Sequence, residues 1–341
     1  MQARFKKHRL YFKRPSGTSR GILTYKDSWF LVLHAHGKTG IGECSILEGL
    51  SPDDPQRIEA VLSSLCSALE AGNTLPDLTV WPAIQMGLET ALCSLEGTHS
   101  FSLYPSKFTQ GKGSIPINGL VWMGTFESMN TQILNLLKAG YNCIKLKIGA
   151  LDFERELDLL AQLRKEFTEK EVILRVDANG AFQPDEALEK LKRLSEFEVH
   201  SIEQPIGINQ WQKMADLCSK TPVPIALDEE LIGPHTAESK QQLLDEIKPQ
   251  FIILKPSLLG GFKEADQWIQ YADNLAIGWW ITSALESNIG LNAIAQWTYL
   301  KEVSGHQGLG TGSLFTNNIS SPLRIKKGCL MLDNSLHWEV V

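Results

Sequence analysis

Five short apolar segments of this chain end in charge, one after another, at nearly one spacing. Tyr141-Asn-Cys-Ile-Lys145-Leu-Lys147-Ile148 carries two lysines in alternation, so both project to one face. Val172-Ile-Leu-Arg175-Val-Asp177-Ala-Asn179, His200-Ser-Ile-Glu203-Gln-Pro205 and Pro224-Ile-Ala-Leu-Asp228 each end in a carboxylate, and Phe251-Ile-Ile-Leu-Lys255-Pro256 returns to lysine. Successive charges lie about 25–30 residues apart, the length of one strand–helix unit. Buried parallel strands should be almost wholly apolar. Charges recurring at strand ends therefore belong at the C-terminal mouth of a barrel, where barrel active sites form.

The wider pattern agrees. Apolar strands are expected to begin near Ile115, Cys143, Val172, Ser201, Pro224, Phe251, Gly278 and Gly308, with amphipathic stretches such as Phe126–Ala139 and Asp152–Phe167 between them. Eight such units suit a (β/α) barrel, although an open doubly wound sheet has the same alternation. Before residue 110 the pattern is different. Thr24–His36 alternates as antiparallel strands do, Gly37–Gly40 supplies a turn, and helices are expected at Asp54–Ala71 and Pro82–Leu95, the first started by Ser51-Pro-Asp-Asp. A small α+β domain (1–110) is thus expected ahead of a barrel (111–322), with the tail (323–341) returning to the first domain.

Several function classes drop out. The 33 Lys and Arg against 39 Asp and Glu leave a net charge of −6 and no positive excess to neutralise phosphates, which argues against a nucleic-acid partner. The basic start, Met1–Leu10, is followed by no apolar run, and the uncharged stretch Val303–Leu323 is too rich in Gly, Ser, Thr and Asn for a membrane helix. The 6 cysteines are scattered without a CxxC pair, as in a reduced cytoplasmic protein.

Three carboxylates converging in a barrel mouth would repel one another unless a cation joined them. Oxygen-only ligands select a hard divalent ion, Mg²⁺ in the simplest case, with Mn²⁺ as a substitute. Lysines flanking such an ion would have lowered pKa values, and one tuned towards ~7–8 can act as a base. The ion can stabilise an enolate formed by removing a proton alpha to a carboxylate, so a small carboxylate is the expected substrate. His34-Ala-His36 lacks a third ligand and reads as structural. Gly308-Leu-Gly-Thr-Gly312 lacks dinucleotide-binding spacing, while a backbone nest for a carboxylate stays open there. Arg175 either pairs with a carboxylate or meets substrate.

The set K-x-K, D-A-N, E-Q-P, D-E and K-P resembles the enolase superfamily in its muconate-lactonizing-enzyme-like branch, over nearly the whole chain. The resemblance implies an N-terminal capping domain on a modified (β/α)₇β TIM-like barrel. It also implies Asp177, Glu203 and Asp228 as Mg²⁺ ligands, with Lys147 and Lys255 facing each other across the substrate. A Lys base with Mg²⁺ is the general pattern of this superfamily. Leu254–Phe262 and Thr282–Gly290 resemble the o-succinylbenzoate synthase family, which dehydrates a succinyl-hydroxycyclohexadiene carboxylate in menaquinone synthesis. Dipeptide epimerases of the branch resemble one another in an Asp-x-Asp after the seventh strand, where this chain has Thr282-Ser-Ala. By the same resemblance Lys147 serves both proton transfers of a syn elimination and Lys255 is a fixed cation. Lys145, Asn179 and Ser283 are the expected substrate contacts, under cap loops at Ser16–Gly21 and Ser45–Ser51 that set specificity or exclude water. The rival readings are a racemase or epimerase using both lysines as bases, and a barrel that binds without catalysis. Against the latter, none of the five charged groups is missing.

Overall fold

The computed structural model describes residues 1–18, 21–149 and 152–339. Ser19 and Arg20, at the centre of one expected cap loop, and the last two residues of the tail lie outside the described residues. Strands β1 (Gln2–Thr18), β2 (Gly21–Ala35) and β3 (Lys38–Ser45) form an antiparallel sheet in that order. The period-two alternation sends Trp29, Leu31 and Leu33 to one face, where helices α1 (Ile58–Ala71) and α2 (Pro82–Glu96) cover them. Phe30 points the other way and packs with Ile41 and Ile289, so the second face of the sheet rests on the barrel part.

The helix-start signal at Ser51–Asp54 works differently from its local reading. A turn intervenes, and α1 begins only at Ile58. The Asp53 carboxylate instead accepts the Ala83 N–H at 3.2 Å from each oxygen, and so caps α2. Burial pushes this carboxyl up to about 7. A carboxyl that ionises less readily when folded makes the unfolded state the weaker proton binder between about pH 4 and 7. Stability from this group is therefore present at low pH and lost as pH rises through 7. Asn caps helices as well as Asp but does not titrate. Thermal unfolding at pH 5 and pH 8 is expected to show a wild-type loss that Asp53→Asn lacks, on the order of 3 kcal/mol at most, since pH 5 lies about two units below the folded value. Equal losses in both proteins would contradict it.

The second part begins with β4 (Ser114–Pro116) and β5 (Gly119–Val121), then alternates helix and strand: α3 (Phe126–Lys138), β6 (Cys143–Lys147), α4 (Phe153–Glu166), β7 (Ile173–Asp177), α5 (Pro184–Ser195), β8 (Ser201–Glu203), α6 (Trp211–Lys220), β9 (Ile225–Leu227), α7 (Ala237–Ile247), β10 (Phe251–Leu254), α8 (Pro256–Leu259), α9 (Phe262–Asn274), β11 (Gly278–Ile281) and α10 (Asn288–Leu300). Strands β5 to β11 form one parallel sheet of seven in sequential order. Its two edges are joined by Gln307 and Gly308, which bridge in parallel to Ile117 and Thr282 respectively. The strand expected at Gly308 is thus reduced to a two-residue closure. The contact is too close for a side chain, since a Cβ on Gly308 would stand 2.0 Å from Thr282 Oγ1. The strand expected near Ile115 divides: β5 takes the barrel position, and β4 pairs antiparallel with β13 (Cys329–Leu332), the second strand of a hairpin with β12 (Leu323–Lys326).

Outward residues of the sheet, such as Ile144, Val176, Ile202 and Leu254, pack under the helices in one large core. Inside, Ala226, Phe251, Ile253 and Trp280 cluster as a floor. Helix α10 is buried along most of its length and lies against β3 as well as the barrel. Among the described residues no helix is long and apolar enough to cross a membrane.

Candidate functional site

Register brings the charges together. Lys147, Asp177 and Glu203 are direct partners across β6, β7 and β8, and Asp228 and Lys255 immediately follow β9 and β10. Lys147 Nζ donates to Asp177 Oδ2 and to Asn179 Oδ1, both at 2.7 Å. Lys145 Nζ lies 2.9 Å from Asp177 Oδ2 and also pairs with Glu203 Oε2. Lys255 pairs with Asp228, with Glu203 Oε1 3.8 Å away. Every group anticipated at the barrel mouth is present there.

The three carboxylates are buried to 2 % exposure or less. Burial alone would raise Asp177, but Lys145 and Lys147 hold it well below the usual carboxylate range. Asp228 moves the other way. Burial raises it, Lys255 only partly opposes this, and Glu229 and Glu203 add to the rise. Burial would likewise lower Lys145 and Lys255, yet the facing carboxylates hold both above the ordinary lysine range. That is the opposite sense to a lysine beside a cation. Negative charge is thus in excess around Asp228.

A divalent ion fits this chemistry. The donors are all carboxylate oxygens, with no thiolate or imidazole among them, and buried Glu203 Oε1 has no hydrogen-bond partner. Among the described residues no group of three or more His, Cys, Asp and Glu side chains is already arranged to hold a metal ion. Here the carboxylates are turned to lysines.

The lysines open on a cavity of about 370 Å³, a size that suits a small molecule. Lys145, Lys147, Lys255, Asn179 and Glu229 form its charged side. Leu23, Leu47 and Leu50 from the cap sheet and its following loop, with Trp122, Leu285 and Leu314, form an apolar side. The expected contacts Lys145, Asn179 and Ser283 all line this cavity. Asn179 also has a second task. It adopts a left-handed φ of 44°, and its amide joins Lys147 to Glu229 Oε1 (3.0 Å), so it braces the lysine. Ser283 Oγ pairs with Thr311 Oγ1 at 2.6 Å. Of the expected cap loops, Ser45–Ser51 supplies Leu47, Glu48 and Leu50.

Arg175 takes neither of its two open roles. Its guanidinium stacks 4.0 Å from the centre of the Trp280 ring and donates to the His306 carbonyl at 2.9 Å, bracing the floor. His34 bonds Thr39 within the β2–β3 hairpin. Sequence reasoning missed Glu229, although the D-E pair held it, and Trp280, which alternation on β11 turns inward. The apolar wall carried no sequence signal.

Residues 128–335 match the enolase C-terminal domain-like family model. An o-succinylbenzoate synthase of Desulfotalea psychrophila is 47 % identical, over 97 % of this chain and 98 % of its own length. The crystal structure of MenC from the same organism superposes with a TM-score of 0.88 at 44 % identity, covering 97 % of this chain and 99 % of the other. The L-Ala-D/L-Glu epimerase of Bacillus subtilis shares the fold, with a TM-score of 0.82 at 17 % identity over 98 % and 96 % of the two chains. Together with the cap sheet, the parallel barrel and the charged mouth, these likenesses make this chain a member of the enolase C-terminal domain-like family.

Proposed function

We propose that this chain is a cytoplasmic, Mg²⁺-dependent hydro-lyase that converts a succinyl-hydroxycyclohexadiene carboxylate to o-succinylbenzoate by syn elimination, a step of menaquinone synthesis. Two lysines on one cavity, backed by three carboxylates, suit both elimination and epimerisation. The observation that counts against a free dipeptide as substrate is the wall after β11. Its one carboxylate, Glu286, does not line the cavity: it accepts from Ser257 Oγ at 2.5 Å and from the Ala284 N–H at 3.0 and 2.9 Å. No anionic pair is left there for a substrate ammonium. The 47 % identity to a named o-succinylbenzoate synthase favours elimination.

In this reading Lys147 removes the proton alpha to the substrate carboxylate, and the electron pair moves into that carboxylate as an enolate. Lys147, now an ammonium, gives a proton to the hydroxyl on the same face. The C–O bond breaks, water leaves, and the ring becomes aromatic. Lys255 stays protonated and opposes the enolate charge. Asp177, Glu203 and Asp228 would hold the divalent ion, which adds positive charge at the substrate carboxylate. Asn179 and Asp177 hold Lys147 in place, and the cap leucines exclude water.

Steady-state kinetics on three substrates tests the choice. The cyclohexadiene carboxylate is expected to have a kcat/KM at least about a hundredfold above that of L-Ala-L-Glu, whose ammonium finds no carboxylate pair on the wall after β11, and also above that of an N-succinylamino acid, as the identity to the synthase implies. A higher value for either amino-acid substrate would overturn elimination as the main activity.

A further inference from the structure

The turn Ser283–Glu286, whose first three residues form one wall of the cavity, is held by buried polar side chains of the cap sheet at Leu285 and just beyond Glu286. Leu285 is left-handed, with a φ of 62°, a conformation that a branched side chain keeps only when its surroundings enforce it. Its N–H donates to Ser283 Oγ at 3.0 Å, and its carbonyl accepts from Lys26 Nζ at 2.8 Å. Lys26, on β2, is 4 % exposed and is anchored a second time by Ser45 Oγ on β3. Burial lowers the pKa of this lysine, and Glu43, Glu286 and Asp27 partly oppose the fall.

The residues that follow the turn are held from β3. Glu43 Oε1 accepts the Ser287 N–H and Oε2 the Gly290 N–H, both at 2.9 Å, while Ser28 Oγ fixes Oε1 at 2.8 Å. Glu43 also takes the Ser287 hydroxyl. A cap carboxylate thereby takes two N–H groups at the start of a barrel helix, α10: that of Ser287, its N-cap, and that of Gly290 in its first turn. Gly290 is what lets it approach, because a Cβ there would stand 2.9 Å from Glu43 Oε2. Neither Lys26 nor Glu43 lines the cavity, whereas Ser283, Ala284 and Leu285 do.

We propose that Lys26 and Glu43 are positioning residues of the site: through the Leu285 carbonyl and the start of α10 they hold the Ser283–Leu285 wall against the substrate. The lysines and carboxylates that would meet the reacting atoms stand at the ends of β6 to β10, which leaves the wall after β11 to the rest of the substrate. Loosening it should weaken binding and spare the chemical step. The choice of substrate rests on the elimination reading; the positioning role does not.

Lys26→Met, which keeps the buried chain and removes the donor, tests this. Hydrogen exchange of the peptide spanning 282–290 is expected to accelerate at least about tenfold, with KM raised about tenfold and kcat within threefold of the wild type. In a Leu285→Gly background, where positive φ needs no enforcement, the same Lys26→Met change should raise KM less than threefold further. Unaltered exchange in 282–290, a kcat loss matching the KM change, or an equal cost in both backgrounds would overturn the role. If Lys26→Met does not fold, Glu43→Gln is measured by the same exchange and KM–kcat criteria, with the same outcomes deciding. Hydrogen exchange decides the positioning role even if the wild type does not turn over the cyclohexadiene substrate, a result that would count against the elimination reading alone.

Discussion

Lys147→Arg is expected to lower kcat by about 10⁴-fold, the upper range for removal of a general acid–base group, whereas Lys255→Arg keeps a measurable fraction. The two lysines look alike in the sequence and line the same cavity, but their neighbours differ. Lys147 is held by the Asp177 carboxylate and the Asn179 amide at 2.7 Å each, a setting that aims one nitrogen. Lys255 pairs with Asp228 and lies 3.8 Å from Glu203 Oε1, inside an excess of negative charge. A group that must give up and regain a proton cannot be replaced by guanidinium, which does not deprotonate. A group that contributes only positive charge can be replaced in part. The comparison is of kcat in variants whose folding and Mg²⁺ binding have been verified. Similar residual activity in both, or survival of the Lys147 variant alone, would reverse the assignment.

Chelation is the second large effect. Thorough EDTA treatment should reduce turnover by about 10³-fold, in keeping with the several kcal/mol a divalent ion contributes to an enolate-like transition state, and Mg²⁺ or Mn²⁺ should restore it. Glu203→Gln probes the carboxylate whose Oε1 has no hydrogen-bond partner. It exchanges one anionic donor for a neutral one of the same shape, and the Kd for Mg²⁺ measured by calorimetry should rise about tenfold or more. An unaltered titration for this variant, or full activity after chelation, would remove Glu203 from the ion's donors.

What could be read in advance follows from how far each contact reaches along the chain. The mouth was legible because a buried parallel strand has no structural reason to end in charge, and β6, β7 and β8 each do. Parallel register then sets Lys147, Asp177 and Glu203 side by side, with nothing further to specify. Asp53 was misread because its local pattern resembles a helix start, while its partner, the Ala83 N–H, is fixed only by tertiary packing. The closing strand at Gly308 was overestimated, since two residues bridging both edges complete the ring. Leu23, Leu47 and Leu50 are ordinary apolar residues until the cap places them over the mouth. Asn179 was expected to meet substrate and does line the cavity, but its bonds to Lys147 and Glu229 depend on side-chain geometry that strand spacing does not encode.

Dehydration itself can be observed directly by incubating the purified protein with Mg²⁺ and the succinyl-hydroxycyclohexadiene carboxylate and following aromatic proton signals by NMR. O-succinylbenzoate is expected to accumulate in proportion to enzyme, with the ring methine signals lost at the same rate and no product formed by Lys147→Arg. Unchanged substrate in the presence of folded, Mg²⁺-bound wild-type protein would contradict the proposed function.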